Sequence, residues 1–164
     1  MLSKKMEKAI TDQIQEEFFS AYMYLSMSLE CEGKLFKGMA RWLKLQYEEE
    51  REHAQKMIDY MVDRGNVPEL KDIKASKESF GTPLQLFEKV LAHEQHVTSL
   101  IHKLYELALA EKDYASQIFL QWFITEQVEE ESSADEIVEK LKLMKNDSAA
   151  LWTLDKTLGE RKDD

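Results

Sequence analysis

The sequence predicts an all-α chain: a four-helix bundle with a long crossover between the second and third helices and a short fifth helix. Three observations predict it. Of 164 residues, only 5 are Gly and 2 are Pro, about 4% against roughly 12% in average proteins, too few for the turns of a β-sandwich or barrel. These residues fall in three places: Gly33 to Gly38, Gly65 to Pro83, and Gly159. Between them, apolar residues recur at three- and four-residue spacing, the period of a helix that buries one face.

The elements follow in order. The first helix covers about 4–32 and carries the stripe Ile10, Ile14, Glu17, Ala21, Tyr24, Ser28. Gly33 suits a left-handed cap at its end, as Gly65 does for the second helix. That helix, about 36–64, has the stripe Phe36, Met39, Leu43, Gln46, Glu50, His53, Met57, Tyr60. Thr82-Pro83-Leu84-Gln85 combines a cap residue, a proline at the first helical position and the Gln of a capping box. The third helix therefore runs over about 83–111, with Leu84, Phe87, Leu91, Glu94, Thr98, Ile101, Tyr105 and Ala108 inward. Residues 84–158 hold no Gly or Pro but are too many for one helix of a small domain. Glu111-Lys112-Asp113 is the expected break, with Asp113 as the next cap. The fourth helix spans about 114–145, with Leu120, Phe123, Gln127, Glu130, Ala134, Ile137, Leu141 and Met144 on its stripe. A second break near Lys145-Asn146-Asp147-Ser148 leaves a short helix over about 149–158. Residues 1–164 read as a single domain, with the bundle over about 4–145.

Charge and cysteine usage narrow the function. With 22 basic and 32 acidic residues the net charge is −10, which excludes an ordinary nucleic-acid binder and suits a protein that concentrates cations. One cysteine, Cys31, excludes an internal disulfide and a thiolate zinc cluster. No apolar run approaches the ~18 residues of a membrane span, and the opening MLSKKMEKAI lacks the apolar core of a signal peptide. The expected location is cytoplasmic, without a membrane partner.

Carboxylates interrupt the stripes where Leu would serve the core, and their positions are related. Glu17 and Glu50 are 33 residues apart, with their midpoint at the Gly33 turn; Glu94 and Gln127 are also 33 apart, about the Glu111–Lys112 turn. Each antiparallel hairpin thus brings its pair to one height. The 18-residue connection from Gly65 to Thr82 can reach ~59 Å when extended, more than the ~43 Å of a 29-residue helix. The second and third helices are then parallel, and Glu50 and Glu94 also meet at one level. His53 joins Glu50, and Glu130 joins Gln127, each three residues on and on the same face. A single Glu on a stripe is most simply a solvated residue of a misphased helix. Four coincident levels disfavour that reading, and an ion-free buried network fails because four ionised carboxylates repel one another. Two divalent cations balance four carboxylates, so the expected site is dinuclear. An oxygen-rich set with one imidazole suits iron or manganese; zinc is compatible and copper disfavoured. Glu50 and Glu130, flanked by other ligands, suit bridging positions.

These residues carry a resemblance. Over essentially its whole length the chain resembles a bacterial non-haem ferritin. The ferritin-like pattern places one Glu on each of two helices and Glu-x-x-His on the other two; Glu17, Glu50-Arg51-Glu52-His53 and Glu94 match it. The fourth helix departs, with Gln127-Val128-Glu129-Glu130, as the non-haem branch does. Glu52 stands where bacterioferritins place a haem-ligating Met, so no haem is expected, and Met57 and Met61 read as core.

The resemblance implies one iron held by Glu17, Glu50 and His53, and a second by Glu50, Glu94 and Glu130 with Gln127 close by. It implies a third site at Glu49, Glu126, Glu129 and Glu130, although Glu129-Glu130-Glu131 alone reads as a solvated charge run. Tyr24, two turns after Glu17, reads as a core tyrosine bonded to a ligand carboxylate, and the resemblance adds the role of electron donor. Trp122 reads as packing; His93, His96 and His102 read as surface or interface residues. The implied function is ferroxidase and iron storage: Fe2+ is oxidised by O2 or H2O2 and deposited as ferric mineral inside a homo-oligomer of 24 subunits. The short last helix would pack about its four-fold axis. The rivals are a non-storing di-iron or dimanganese peroxide-handling enzyme and a structural bundle that merely buffers cations.

Overall fold

The computed structural model describes residues 1–75, 79–145 and 147–162. Its helices are α1 (Lys4–Gly33), α2 (Lys37–Asp63), α3 (Pro83–Ala110), α4 (Tyr114–Met144) and α5 (Ser148–Leu158). Each end lies within one residue of the expected span. No strand occurs among the described residues. Asn146, part of the expected second break, lies outside them.

The helix starts are fixed by short polar side chains. Ser3 accepts from the Met6 amide, Asp113 from Ser116, and Asp147 from Ala149 and Ala150. Thr82 and Gln85 form the reciprocal capping box, with Pro83 in the first turn. At the start of α2, Phe36 offers no side-chain cap. Asp155 of α5 supplies one from a distance: its carboxylate accepts from the Gly38 amide at 3.1 Å and from Met39 at 2.9 Å. A negative charge there also suits the positive end of the helix dipole. A Cβ on Gly38 would sit 1.6 Å from the Asp155 carbonyl oxygen, so only glycine lets α5 dock this closely.

The end of α1 corrects the sequence expectation. Gly33 is the last helical residue, and the left-handed position falls on Leu35, with φ 65°. Phe36 N bonds to Cys31 O and Leu35 N to Glu32 O, the paired bonds of a Schellman ending. The same pair closes α2 around Gly65 and α3 around Lys112. At α1 the apolar Phe36, packed partly into the core, sets the register of the ending. Leu35 takes the left-handed conformation as a consequence, at a cost of about 1–2 kcal/mol.

The crossover lies along α1 from one end to the other. Asn66 accepts from the Leu2 amide, Lys71 pairs with Asp12 at 2.8 Å, Gln15 donates to the Asp72 carbonyl, and the Phe80 amide donates to Glu30. The chain thus returns the full length of the bundle before α3 begins, so α2 and α3 start at the same end. Within the bundle, α1 packs on α2 and α3 on α4 as hairpins.

Two apolar clusters fill the interior. One is built around Tyr24, Met27, Leu43, Phe87, Val90 and Ile137. The other holds Met6, Ile10, Ile14, Met57, Met61, Ile101 and Phe123, so both methionines are core. The α3 stripe is rotated by one residue from expectation at alternate rungs: Val90, Val97 and Leu104 are buried, while Leu91, Thr98 and Tyr105 are half-buried. Turning three apolar side chains inward spares two hydroxyls a costly desolvation. Glu94 belongs to both rungs and stays buried. On each of the four long helices the polar intruders sit between the residues of one cluster and those of the other.

Candidate metal centre

Each long helix delivers its polar side chains to that level. Glu17, Glu50, His53, Glu94, Gln127 and Glu130 are all buried, none more than 6% exposed. The closest grouping joins α1 to α2: Glu17, Glu50 and His53 each offer a ligand atom within 4.8 Å of the others. His53 Nδ1 lies 3.3 Å from Glu50 Oε2, out of line for a hydrogen bond. Glu17 Oε1 accepts from Gln13 at 2.9 Å. Glu17 Oε2 and Glu50 Oε2 are buried and receive no hydrogen bond from any other residue; only a shared proton lets the two carboxyls bond each other, and once both are ionised their oxygens are orphaned, a costly state. Two orphaned oxygens beside an imidazole form a donor set to which a divalent cation is the fitting complement.

The α3–α4 side of the level is held differently. The Tyr24 hydroxyl donates to Glu94 Oε1, and the Gln127 amide donates to Glu94 Oε2 and to its carbonyl, both at 3.2 Å. Glu130 Oε2 accepts from Gln46 at 2.7 Å. Glu94 and Glu130 are therefore turned to protein donors, and Glu50, Glu94 and Glu130 do not close into a triad as tight as the first. Gln127 stands as a residue that orients Glu94.

Burial governs the ionisation of the whole group. It holds Glu17 well above the usual carboxylate range, with the Glu50 charge adding to the effect. Glu50 is raised likewise by burial and then by Glu94. Glu94 is raised by burial, and Glu130 is pushed up to about 8 by burial and the nearby Glu94 and Glu49. Burial and the facing carboxylates also push the Tyr24 hydroxyl up, so it remains a proton donor.

Around the site, the edge of Trp122 meets the His53 ring at 5.4 Å, and Lys56 Nζ lies 4.2 Å above the Trp122 ring. Trp122 packs, as expected, but against the imidazole itself. His93, read as a surface or interface residue, is half-buried and engaged within the chain. Its Nε2 lies 2.7 Å from Ser20 Oγ, and its ring meets Tyr24 edge-on at 6.2 Å. Burial lowers its pKa to about 4. Glu49, Glu126, Glu129 and Glu130 line one cleft of about 290 Å3, where Arg161 binds Glu49 through both carboxylate oxygens, at 2.6 and 2.8 Å.

A sequence model of the ferritin-like domain family matches residues 7–144. The chain belongs to the ferritin family. It is 44% identical to a bacterial non-heme ferritin of Bacteroides fragilis over 161 residues, covering 98% of this chain and 100% of that one. With a bacterial non-heme ferritin of Staphylococcus aureus it shares 40% identity, covering 98% and 97%. Among solved structures, an open-pore ferritin of the hyperthermophilic archaeon Archaeoglobus fulgidus superposes with a TM-score of 0.97 at 44% identity, covering 99% of this chain and 100% of that one.

Two participants of this ferritin's polar level, Gln13 and Arg161, escaped sequence reading, and Gln46 was placed on the inward stripe without a role at the site. Gln46 and Gln13 each sit four residues before a carboxylate of the level, on the same helix face, and that spacing was the available signal. Arg161 lies beyond α5, where no periodicity points inward. Among the described residues, no helix is long and apolar enough to cross a membrane.

Proposed function

We propose that this ferritin chain is a ferroxidase and iron-storage subunit. In this reading Glu17, Glu50 and His53 take one Fe2+, and Glu50, Glu94 and Glu130 take a second, with Gln127 orienting Glu94. The observation that carries the proposal is the pair of buried oxygens on Glu17 and Glu50 beside His53, orphaned once ionised. Two Fe2+ ions lose one electron each; O2 accepts both with two protons and becomes H2O2, or H2O2 accepts both with two protons and becomes water. Carboxyls kept protonated by burial release protons as the metal enters. Oxygen ligands favour the harder Fe3+ product, so the donor set itself drives oxidation. In this reading Tyr24, whose hydroxyl donates to Glu94, would supply a third electron toward the oxidant, and a later Fe2+ would reduce the resulting tyrosyl radical. Glu49, Glu126, Glu129 and Glu130 form a third site in the adjoining cleft.

Fe3+ then moves to a mineral inside a hollow homo-oligomer in the cytoplasm. Likeness to the family supports that assembly and its size of 24 subunits. Anaerobic titration of the metal-free protein with Fe2+, followed by calorimetry, is expected to give two tightly bound ions per chain with release of protons. Fewer than one tight ion per chain would contradict the dinuclear reading.

A further inference from the structure

Arg161 follows α5 and reaches back into the acidic cleft. Its carbonyl accepts from Arg41 Nε and Nη2 at 3.4 and 3.3 Å, and its guanidinium lies 5.1 Å from the centre of the Trp42 ring. One nitrogen donates to Gln46 Oε1, while the other grips Glu49 through both oxygens. Gln46 in turn donates to Glu130 Oε2 at 2.7 Å. Two hydrogen bonds therefore link a residue beyond the bundle to a carboxylate of the dinuclear level. The pair with Glu49 is only about a quarter exposed on each side, and a partly desolvated, charge-assisted hydrogen bond is stronger than one at the open surface.

The remaining contacts place that guanidinium by design of the fold. The segment is set by α5, which the Asp155 carboxylate fastens to the start of α2. Across the cleft, Lys140 is engaged by Glu136, whereas the Arg161 head group stands against Glu49, at the edge shared with Glu126, Glu129 and Glu130.

We infer that Arg161 is a tethered cation occupying the third site, which a metal ion must displace from Glu49 before it binds there. The inference rests on the third-site reading above. It makes the dinuclear pair fill first, because the third position already has a positive partner. It also couples that position to the docking of α5, since Arg161 can leave Glu49 only as its segment moves or its side chain swings into solvent.

The test is calorimetric titration of the metal-free, assembled protein with Zn2+, which binds oxygen and imidazole ligands without redox chemistry. Wild-type protein is expected to take two tight ions and a weaker third. Arg161→Gln should tighten the third by roughly five- to tenfold, the scale of one partly exposed ion pair removed, and leave the first two within about twofold. Arg161→Lys, which keeps the charge but cannot hold Glu49 and Gln46 through two separate nitrogens, should fall between. Glu49→Gln should remove the third ion in either background. If Glu49→Gln removes the third ion but Arg161→Gln leaves its affinity unchanged or weaker, the site stands and the displacement mechanism is wrong. If Glu49→Gln leaves the third ion in place, the third-site reading fails and the inference falls with it.

Discussion

Replacing Glu50 with Ala is expected to slow the initial aerobic oxidation of Fe2+ by at least about 100-fold while the protein still assembles. Losing even an outer-shell partner typically costs a metal site 10–100-fold, and Glu50 is proposed as a ligand to both ions. It is buried on α2 at the level where all four long helices converge, with one oxygen near His53 and, once ionised, no hydrogen-bond partner for it. Glu130→Ala should have a similar effect, because it removes the carboxylate through which α4 contributes. Glu50→Gln keeps the volume and removes the charge, so it separates chemistry from packing and should be nearly as slow. The apolar clusters on either side of the level contain neither residue, so helix content and particle size should be retained. Assembled variants that oxidise iron at the original rate would place the reaction elsewhere.

The second large effect is on the stability of the metal-free protein, which is expected to fall as pH rises from about 6.5 to 8.5. Glu17, Glu50, Glu94 and Glu130 are all raised in the folded state, Glu130 to about 8. A carboxyl with a raised folded pKa gives its full stability below the unfolded value and loses it as pH climbs through the folded one. Each such group costs up to about 1.4 kcal/mol per pH unit while it titrates, or roughly 2–4 °C of midpoint per kcal/mol in a chain of this size. Other groups do not reverse the sign in that window. Asp12, Glu30 and Asp113, lowered by their hydrogen bonds and ion pairs, are ionised in both states. His93, lowered to about 4, is neutral in the fold but about half protonated at the bottom of the window when unfolded, so it opposes the fall there by no more than about half of what one raised carboxyl supplies. Cys31, raised to about 12 by burial, begins to contribute at the top of the window, where an unfolded thiol ionises, and in the same direction.

Scanning calorimetry across the window should therefore show a falling midpoint. Zn2+ should flatten it, since a bound cation stabilises the ionised carboxylates. Glu130→Gln should reduce the slope, and Glu17→Leu should raise the metal-free midpoint because it removes a buried carboxyl with an unpartnered oxygen, whereas Glu94→Leu should lower it because Tyr24 and Gln127 lose their acceptor. A rising midpoint with pH, or a sharp drop for Glu17→Leu, would contradict this electrostatic account.

Much of this architecture was legible because bundles repeat simple signals. Thr82-Pro83-Leu84-Gln85 and Asp113 mark helix starts by chemistry local to a few residues. The 33-residue spacings of Glu17 to Glu50 and Glu94 to Gln127 carry long-range information, since a hairpin of two straight helices converts equal sequence distance into equal height. The crossover, too, was readable from length alone. What escaped depends on contacts between distant elements. Nothing near Phe36 says that Asp155 will cap α2. Gly33 looked like the left-handed cap because glycine is the usual occupant, whereas the seating of Phe36 moved that conformation to Leu35. On α3 two stripes share Phe87, Glu94, Ile101 and Ala108, and only packing chose Val90 over Leu91. His93 reached Ser20 and Tyr24 through that same rotation of α3. Arg161 had no periodic context at all, and its partners Gln46 and Glu49 lie more than 100 positions earlier in the chain.

The most direct test of oxidation coupled to storage is to add Fe2+ aerobically to the metal-free protein and follow oxygen uptake together with the iron that stays in solution. Rapid uptake, with many more than two irons per chain kept soluble, is the predicted result. Uptake that stops at about two irons per chain would identify a di-iron enzyme that stores nothing, and a rate no faster than buffer would contradict the metal centre itself.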